Sequence, residues 1–293
     1  MKTLLKRLWW LITAPFRLLF WLVALPFRGI RRFSRFMNEV PDENSLADAF
    51  VSAVQSGSSL IEHFEALRRN LLRALLALAV TTTISFIFSE QLIAFLAVPA
   101  GGLESLKAID VTETISVFMK VSFLLGIIFA LPYIVFEVWL FVAPGLMPSG
   151  RRRGLLAIPF ATLFFVAGVA FAYYVMLPNA LPFLQQFLGI RSEWRPASYF
   201  SFVTGLMFWL GVSFEFPLVV YIMSAMGILQ PKVLASQGRL AMVIIAVIAA
   251  AITPTVDPVN MALVMVPLIV LYFLSIGLSF IAYGARRRKE TEA

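Results

Sequence analysis

The sequence predicts an all-α polytopic membrane protein with six transmembrane helices and both termini in the cytoplasm, and two observations carry this prediction. Six apolar runs fill the chain from Ala74 to Tyr283. A bilayer core of ~30 Å takes about 20 helical residues to cross, and it holds no water to satisfy an open backbone, so such runs form helices. Lys and Arg also alternate between the short connections. Arg68, Arg69 and Arg73 precede the first run, Arg151, Arg152 and Arg153 follow the second, Lys232 and Arg239 follow the fourth, and Arg286, Arg287, Arg288 and Lys289 follow the sixth. The other connections hold only Lys107, Arg191 and Arg195, beside Glu90, Glu104, Asp110, Glu113, Glu193 and Asp257. Cation-rich loops stay in the cytoplasm, which fixes the orientation.

The chain opens on an oddity. Residues 8–27 are apolar and rich in Trp9, Trp10, Phe16, Phe20 and Trp21, but they contain Pro15, Arg17 and Pro26. Basic residues flank the segment on both sides, Lys2, Lys6 and Arg7 before it and Arg28, Arg31, Arg32 and Arg35 after it. A span here would carry one cluster outside, so the segment reads as an amphipathic anchor lying on the cytoplasmic leaflet. Residues 41–59 read as a polar linker with a short helix at 46–54. From Ser59, a plausible N-cap, Leu60, Ile61, Phe64, Leu67 and Leu71 follow helical spacing, which predicts an amphipathic helix running into the first span. The chain thus divides into an extension and linker at 1–58, a six-helix core at 59–285 and a basic cytoplasmic tail at 286–293.

Within the core, the runs are 74–89 (with 92–98 beyond Glu90), 121–136, 154–190, 197–230, 240–256 and 258–285. Gly101 and Gly102 mark the turn of the first outward loop. Pro178 and Pro182 are expected to stop the third helix near Met176 and to leave 180–188 along the outer surface. Pro217 is expected to kink the fourth. The helix at 240–252 covers only ~20 Å, short of a full bilayer. Lys120 is expected to snorkel outward.

Composition and motifs exclude several functions. The net charge of +8 lies mostly on the cytoplasmic face, where anionic lipids attract it, and is not a nucleic-acid signature. Without cysteine, and with His63 as the one histidine, no thiolate or histidine metal centre can form, and no cofactor is implied. Paired membrane aspartates, His-Glu-x-x-His and a phosphate-binding loop are all missing, so catalysis finds no support. The candidates are polar groups inside apolar runs. Glu215, two residues before Pro217, sits deep in the fourth run, where a charge costs from about 2.5 kcal/mol upward. It is either a structural group bonded to a freed carbonyl or a polar point in a hydrated recess. Glu137 is either a snorkelling surface group or a functional carboxylate. Asp257 lies in the Asp-Pro turn before the last run, and Asn260 can bond a partner helix.

Seven segments resemble, in order, the C subunit of the twin-arginine (Sec-independent) protein translocase, the TatC family. They are His63-Phe-Glu-Ala-Leu-Arg68, Thr112-Glu-Thr-Ile-Ser-Val-Phe-Met-Lys120, Val138-Trp-Leu-Phe-Val-Ala-Pro-Gly-Leu146, Ala170-Phe-Ala-Tyr-Tyr-Val175, Ser198-Tyr-Phe-Ser-Phe202, Gly211-Val-Ser-Phe-Glu-Phe-Pro217 and the turn from Thr253-Pro254 to Asp257. The resemblance implies a concave, glove-like receptor in a prokaryotic plasma membrane. It would bind twin-arginine signal peptides of folded cargo and recruit single-span A-type and B-type partners, as a homo-oligomer, driven by protonmotive force. The family's Glu in the first motif is Ala66 here, and Gly150 stands where a Glu often precedes the basic pair of the second cytoplasmic loop. Met261 and Phe273 also depart from the family pattern.

A guanidinium pair needs anionic, preferably bidentate partners. Glu137 with Glu65, and then Glu62, are the carboxylates placed to replace the missing ones, with Phe141, four residues after Glu137, packing on the signal's apolar part. Arg68 and Pro144 complete the expected signal site, and Thr253, Asp257 and Asn260 the expected partner-docking site. The competing readings are a proton-coupled small-solute transporter using Glu215, which lacks the expected repeats, and a TatC paralogue that no longer reads twin arginines. Cysteine labels at Gly102 and Ser192 should react from outside and labels at Gly150 and Gln237 from inside; an internal Ser192 would overturn the six-span topology.

Overall fold

The computed structural model describes Asn38 and residues 58–145, 150–151, 154–186, 193–253 and 258–292. The expected anchor at 8–27 and the helix at 46–54 lie outside the described residues. Helix α1, Ser58–Ser85, merges the amphipathic lead and the first apolar run into one rod of 28 residues. It ends where Phe86, Ile87 and Phe88 donate to the carbonyls of Thr83, Ile84 and Ser85 at 3.1 to 3.3 Å, a tightening that satisfies the last carbonyls. The chain then bends by 77° into α2, Ser89–Ala97. Serines hold the bend: Ser89 Oγ donates to Ser85 O at 2.7 Å and lies 2.5 Å from Ser122 Oγ. The expected turn follows, with Gly101 and Gly102 both at positive φ.

Helix α3, Glu113–Val142, packs antiparallel along α1. Thr81 Oγ1 donates to Gly126 O at 2.9 Å, and nearer the other end Asn70 Nδ2 donates to Glu137 O at 3.4 Å. Helix α4, Ala157–Phe171, passes through a widened π turn, Ala172–Met176, directly into α5, Leu177–Gln186. The two prolines therefore do not stop this helix. Leu177 N–H reaches back five residues to Ala172 O, which opens the turn just before Pro178, and Asn179 Nδ2 bonds Val175 O at 2.6 Å. Nor does 180–188 lie on the surface from its start, because Ala180 and Leu181 are buried.

Helices α6, Pro196–Phe214, and α7, Phe216–Met226, form one rod broken only at Glu215. The break falls where Pro217 cannot donate to Ser213 O. After α8, Pro231–Ser236, the short apolar α9, Gly238–Ile252, has 15 residues and a length of about 22 Å. Helix α10, Pro258–Glu292, packs on α7 and α9, with Ser224 and Ser279 sharing a buried hydroxyl bond of 2.6 Å. Tyr272 Oη pins α8 through Leu234 O at 2.6 Å.

Among the described residues, Glu113–Val142, Ala157–Gln185, Pro196–Met226 and Met261–Gly284 are each long and apolar enough to cross a membrane. The bent pair α1 and α2 makes a fifth span if it is counted as one. The core lies where α2, α3, α4 and α6 converge on Leu96, Phe165, Tyr199 and Phe200. Large apolar side chains such as Leu76, Leu163, Val247 and Val270 face outward, as a lipid-facing surface requires. At Gly168 α4 and α6 approach closely, since a Cβ there would lie 2.7 Å from Leu210 O and 2.9 Å from Gly211 Cα. Gly168→Val should therefore separate α4 from α6 and cost about 1 to 3 kcal/mol. A lowered thermal midpoint in detergent, unmatched by Gly277→Ala, would show it.

Candidate functional site

The contact between α1 and the C-terminal end of α3 gathers the polar groups of interest. Glu137 is 2 % exposed, so the surface-snorkel reading is wrong: α1 packs over it. Its Oε2 lies 4.0 Å from Arg73 Nη1 of α1 and makes no hydrogen bond. Tyr133 stands one turn earlier on α3. Asn70 fastens the Glu137 carbonyl from the facing helix, so the backbone at this point is held as well. Phe141, one turn later, is half-buried, and exposed Pro144 lies in the 3₁₀ turn Ala143–Gly145. The turn is held from within by Arg151, which is buried and donates from Nε to Ala143 O at 2.8 Å and from Nη2 to Pro144 O at 3.2 Å. Sequence reasoning counted Arg151 only as a topology charge; its reach to the last carbonyls of a helix could have suggested the second use.

Glu65 and Arg68 are exposed on α1. Glu65 precedes Asn70 by five residues and Arg73 by eight, which sets it about 8 to 12 Å along the helix axis from the level of Glu137. The two carboxylates thus sit at two depths on adjoining helices. The Glu62 side chain lies outside the described residues.

Glu215 stands at the α6–α7 break, half-buried, with Oε1 buried and without a hydrogen-bond partner. That oxygen makes no bond to a freed carbonyl. Thr253 is buried and turned inward, its Oγ1 donating to Ala249 O at 2.8 Å. Asp257 and the Asn260 side chain lie outside the described residues. Lys120 Nζ donates to Ser201 Oγ on α6, in an exposed bond.

The opposite end of the bundle holds a feature that sequence reasoning missed. Glu113, in the first turn of α3, is buried and paired with Arg195 at the start of α6; Nε donates to Oε1 at 3.0 Å and Nη2 to the same oxygen. The sequence alone presents both as loop charges. Nearby, the Thr112 N–H bonds Asp110 Oδ1 at 3.1 Å and holds that carboxyl below the usual carboxylate range. Lys107 joins the two loops twice, by N–H to Trp194 O at 3.1 Å and by Nζ to Glu193 at 2.6 Å.

Long apolar helices, an outward-facing apolar surface and a few buried polar groups at helix contacts define a polytopic helical membrane protein. The comparisons with known proteins name its kind. The family described as Sec-independent protein translocase protein (TatC) matches residues 62–267, and the chain belongs to that family. It is 35% identical over 249 residues to a Sec-independent protein translocase protein TatC of Koribacter versatilis, covering 81% of this chain and 90% of that one. It is 38% identical over 233 residues to the TatC of Deinococcus radiodurans, covering 76% and 86%. A crystal structure of the twin-arginine translocase receptor TatC superposes with a TM-score of 0.66 at 33% identity, covering 75% of this chain and 99% of that one.

The ion pair between Glu113 and Arg195 is open to a direct test. Arg195→Gln leaves the Glu113 carboxylate without its cation, a loss moderated by the half-exposed position of Arg195. Thermal unfolding should show the single variant well below wild type and Glu113→Gln with Arg195→Gln partly restored.

Proposed function

We propose that this chain is the receptor and scaffold of a twin-arginine translocase. In this reading it crosses a prokaryotic cytoplasmic membrane six times with both termini inside, and it binds arginine-paired signal peptides of folded cargo where α1 meets the C-terminal end of α3. It recruits single-span A-type and B-type partners, assembles with further copies of itself, touches anionic lipid through its basic loops, and performs no catalysis of its own. The observation that carries the reading is the Glu137 carboxylate. It is buried, yet one oxygen has no hydrogen bond, and it stands beside the turn that Arg151 holds in shape. An acceptor left open in a dry site is costly unless a ligand completes it.

Glu137 holds one signal arginine and Glu65, nearer the cytoplasm, the other, with Glu62 in support. Phe141 and Pro144 face the apolar part of the signal, and Arg68 lies beside Glu65 on α1. The twin-arginine ligand suits two carboxylates at two depths, because neighbouring arginine side chains are long enough to part. Glu215 supplies the polar point of a recess farther into the membrane, and Thr253, Asp257 and Asn260 form the end at which partner helices dock.

Isothermal titration of detergent-purified protein with an Arg-Arg signal peptide and its Lys-Lys variant tests the reading. Wild type should favour Arg-Arg by about tenfold or more, as bidentate recognition allows. Glu137→Gln should weaken Arg-Arg binding more than Glu65→Gln. Equal binding of the two peptides, or indifference to both substitutions, would mean that this TatC does not read arginines through these carboxylates.

A further inference from the structure

We propose that Arg73 is a resident stand-in for the signal arginine, so that the free protein keeps its recognition carboxylate covered by an exchangeable internal cation. The inference rests on the reading of Glu137 as an arginine anchor and adds a competitor built into the receptor itself.

Three features of the pair support exchange. A carboxylate taken out of water is costly without a cation, and Arg73 on the facing helix supplies one. The separation of 4.0 Å is longer than the 2.7 to 2.9 Å of a charge-assisted hydrogen bond, so Arg73 neutralises Glu137 without using up the acceptor capacity of Oε2. The Arg73 side chain is also half exposed, so its guanidinium can turn into water while its stem stays on α1. Glu137 has no matching freedom. Asn70 fixes its backbone carbonyl, and α1 covers it.

A fixed carboxylate and a loose cation make an asymmetric pair. An arriving guanidinium that forms one or two short hydrogen bonds to Oε2 gains contacts that Arg73 does not make, and Arg73 leaves for solvent. Ammonium, a compact and strongly hydrated charge, gains less from the same site and displaces Arg73 less well. The resident arginine therefore raises the threshold for every cation and passes the best hydrogen-bonding one, which is discrimination by competition.

Removing the competitor should strengthen binding. In titrations of the full chain in detergent, Arg73→Gln should bind the Arg-Arg peptide about threefold more tightly than wild type, the scale of a half-exposed ion pair. Arg73→Met should do the same, and Arg73→Lys, which keeps the charge, should not. In a Glu137→Gln background the Arg73→Gln change should have no effect, because nothing remains to compete for. A merely structural pair predicts the reverse, with weakened or unchanged binding. If wild type distinguishes Arg-Arg from Lys-Lys but neither Arg73→Gln nor Arg73→Met tightens binding, the exchange is wrong and the receptor reading stands. If wild type does not bind the Arg-Arg peptide, the receptor reading falls and takes the exchange with it.

Discussion

In hydrocarbon there is no water to accept or donate a hydrogen bond, so each backbone group that leaves a regular helix needs a partner from the chain itself. The architecture follows from this constraint. Where α2 ends, Tyr173 and Tyr199, from separate segments, donate to consecutive carbonyls, Phe95 O at 2.8 Å and Leu96 O at 2.7 Å. Both tyrosines are buried, so their rings fill the core while their hydroxyls close the helix end. The same economy governs the serines at the α1–α2 bend and Tyr272 over α8. Irregular backbone survives at these places because a side chain was at hand to finish it.

That constraint also explains which parts of the fold were legible beforehand. The long apolar runs, the merger of the lead helix with the first span, the break at Glu215 and the glycine turn followed from length, period and proline chemistry, all local properties. The course of the third helix did not. Pro178 and Pro182 ordinarily end a helix, but a widened turn upstream and the amide of Asn179 absorb the missing donors, and no periodicity announces either. The π turn is a response to two neighbours in sequence and to packing against α6 and α2, and only coordinates combine those terms.

For the site, residue type was readable and environment was not. Glu137 stood out as a carboxylate in an apolar run, yet whether it faced water or protein depended on which helix lay across it. Glu113 escaped notice for the same reason, since its partner Arg195 stands at the start of α6, some 80 residues later. A sequence shows charges one at a time. Pairing is a property of the folded bundle, and in a low-dielectric interior it decides what a charge does.

The burial of Arg151 separates two things that a run of arginines is usually taken to do together. Its neighbours can set the side of the membrane on which the loop stays by charge alone, a role that any equally basic replacement could fill. Arg151 itself is spent on the shape of the turn at 143–145, through two carbonyls that a lysine's single nitrogen would not span in the same way. Exchanging the three arginines for lysines would thus keep the chain's orientation and loosen the turn, a lesion invisible to any assay that reads only which side a loop is on.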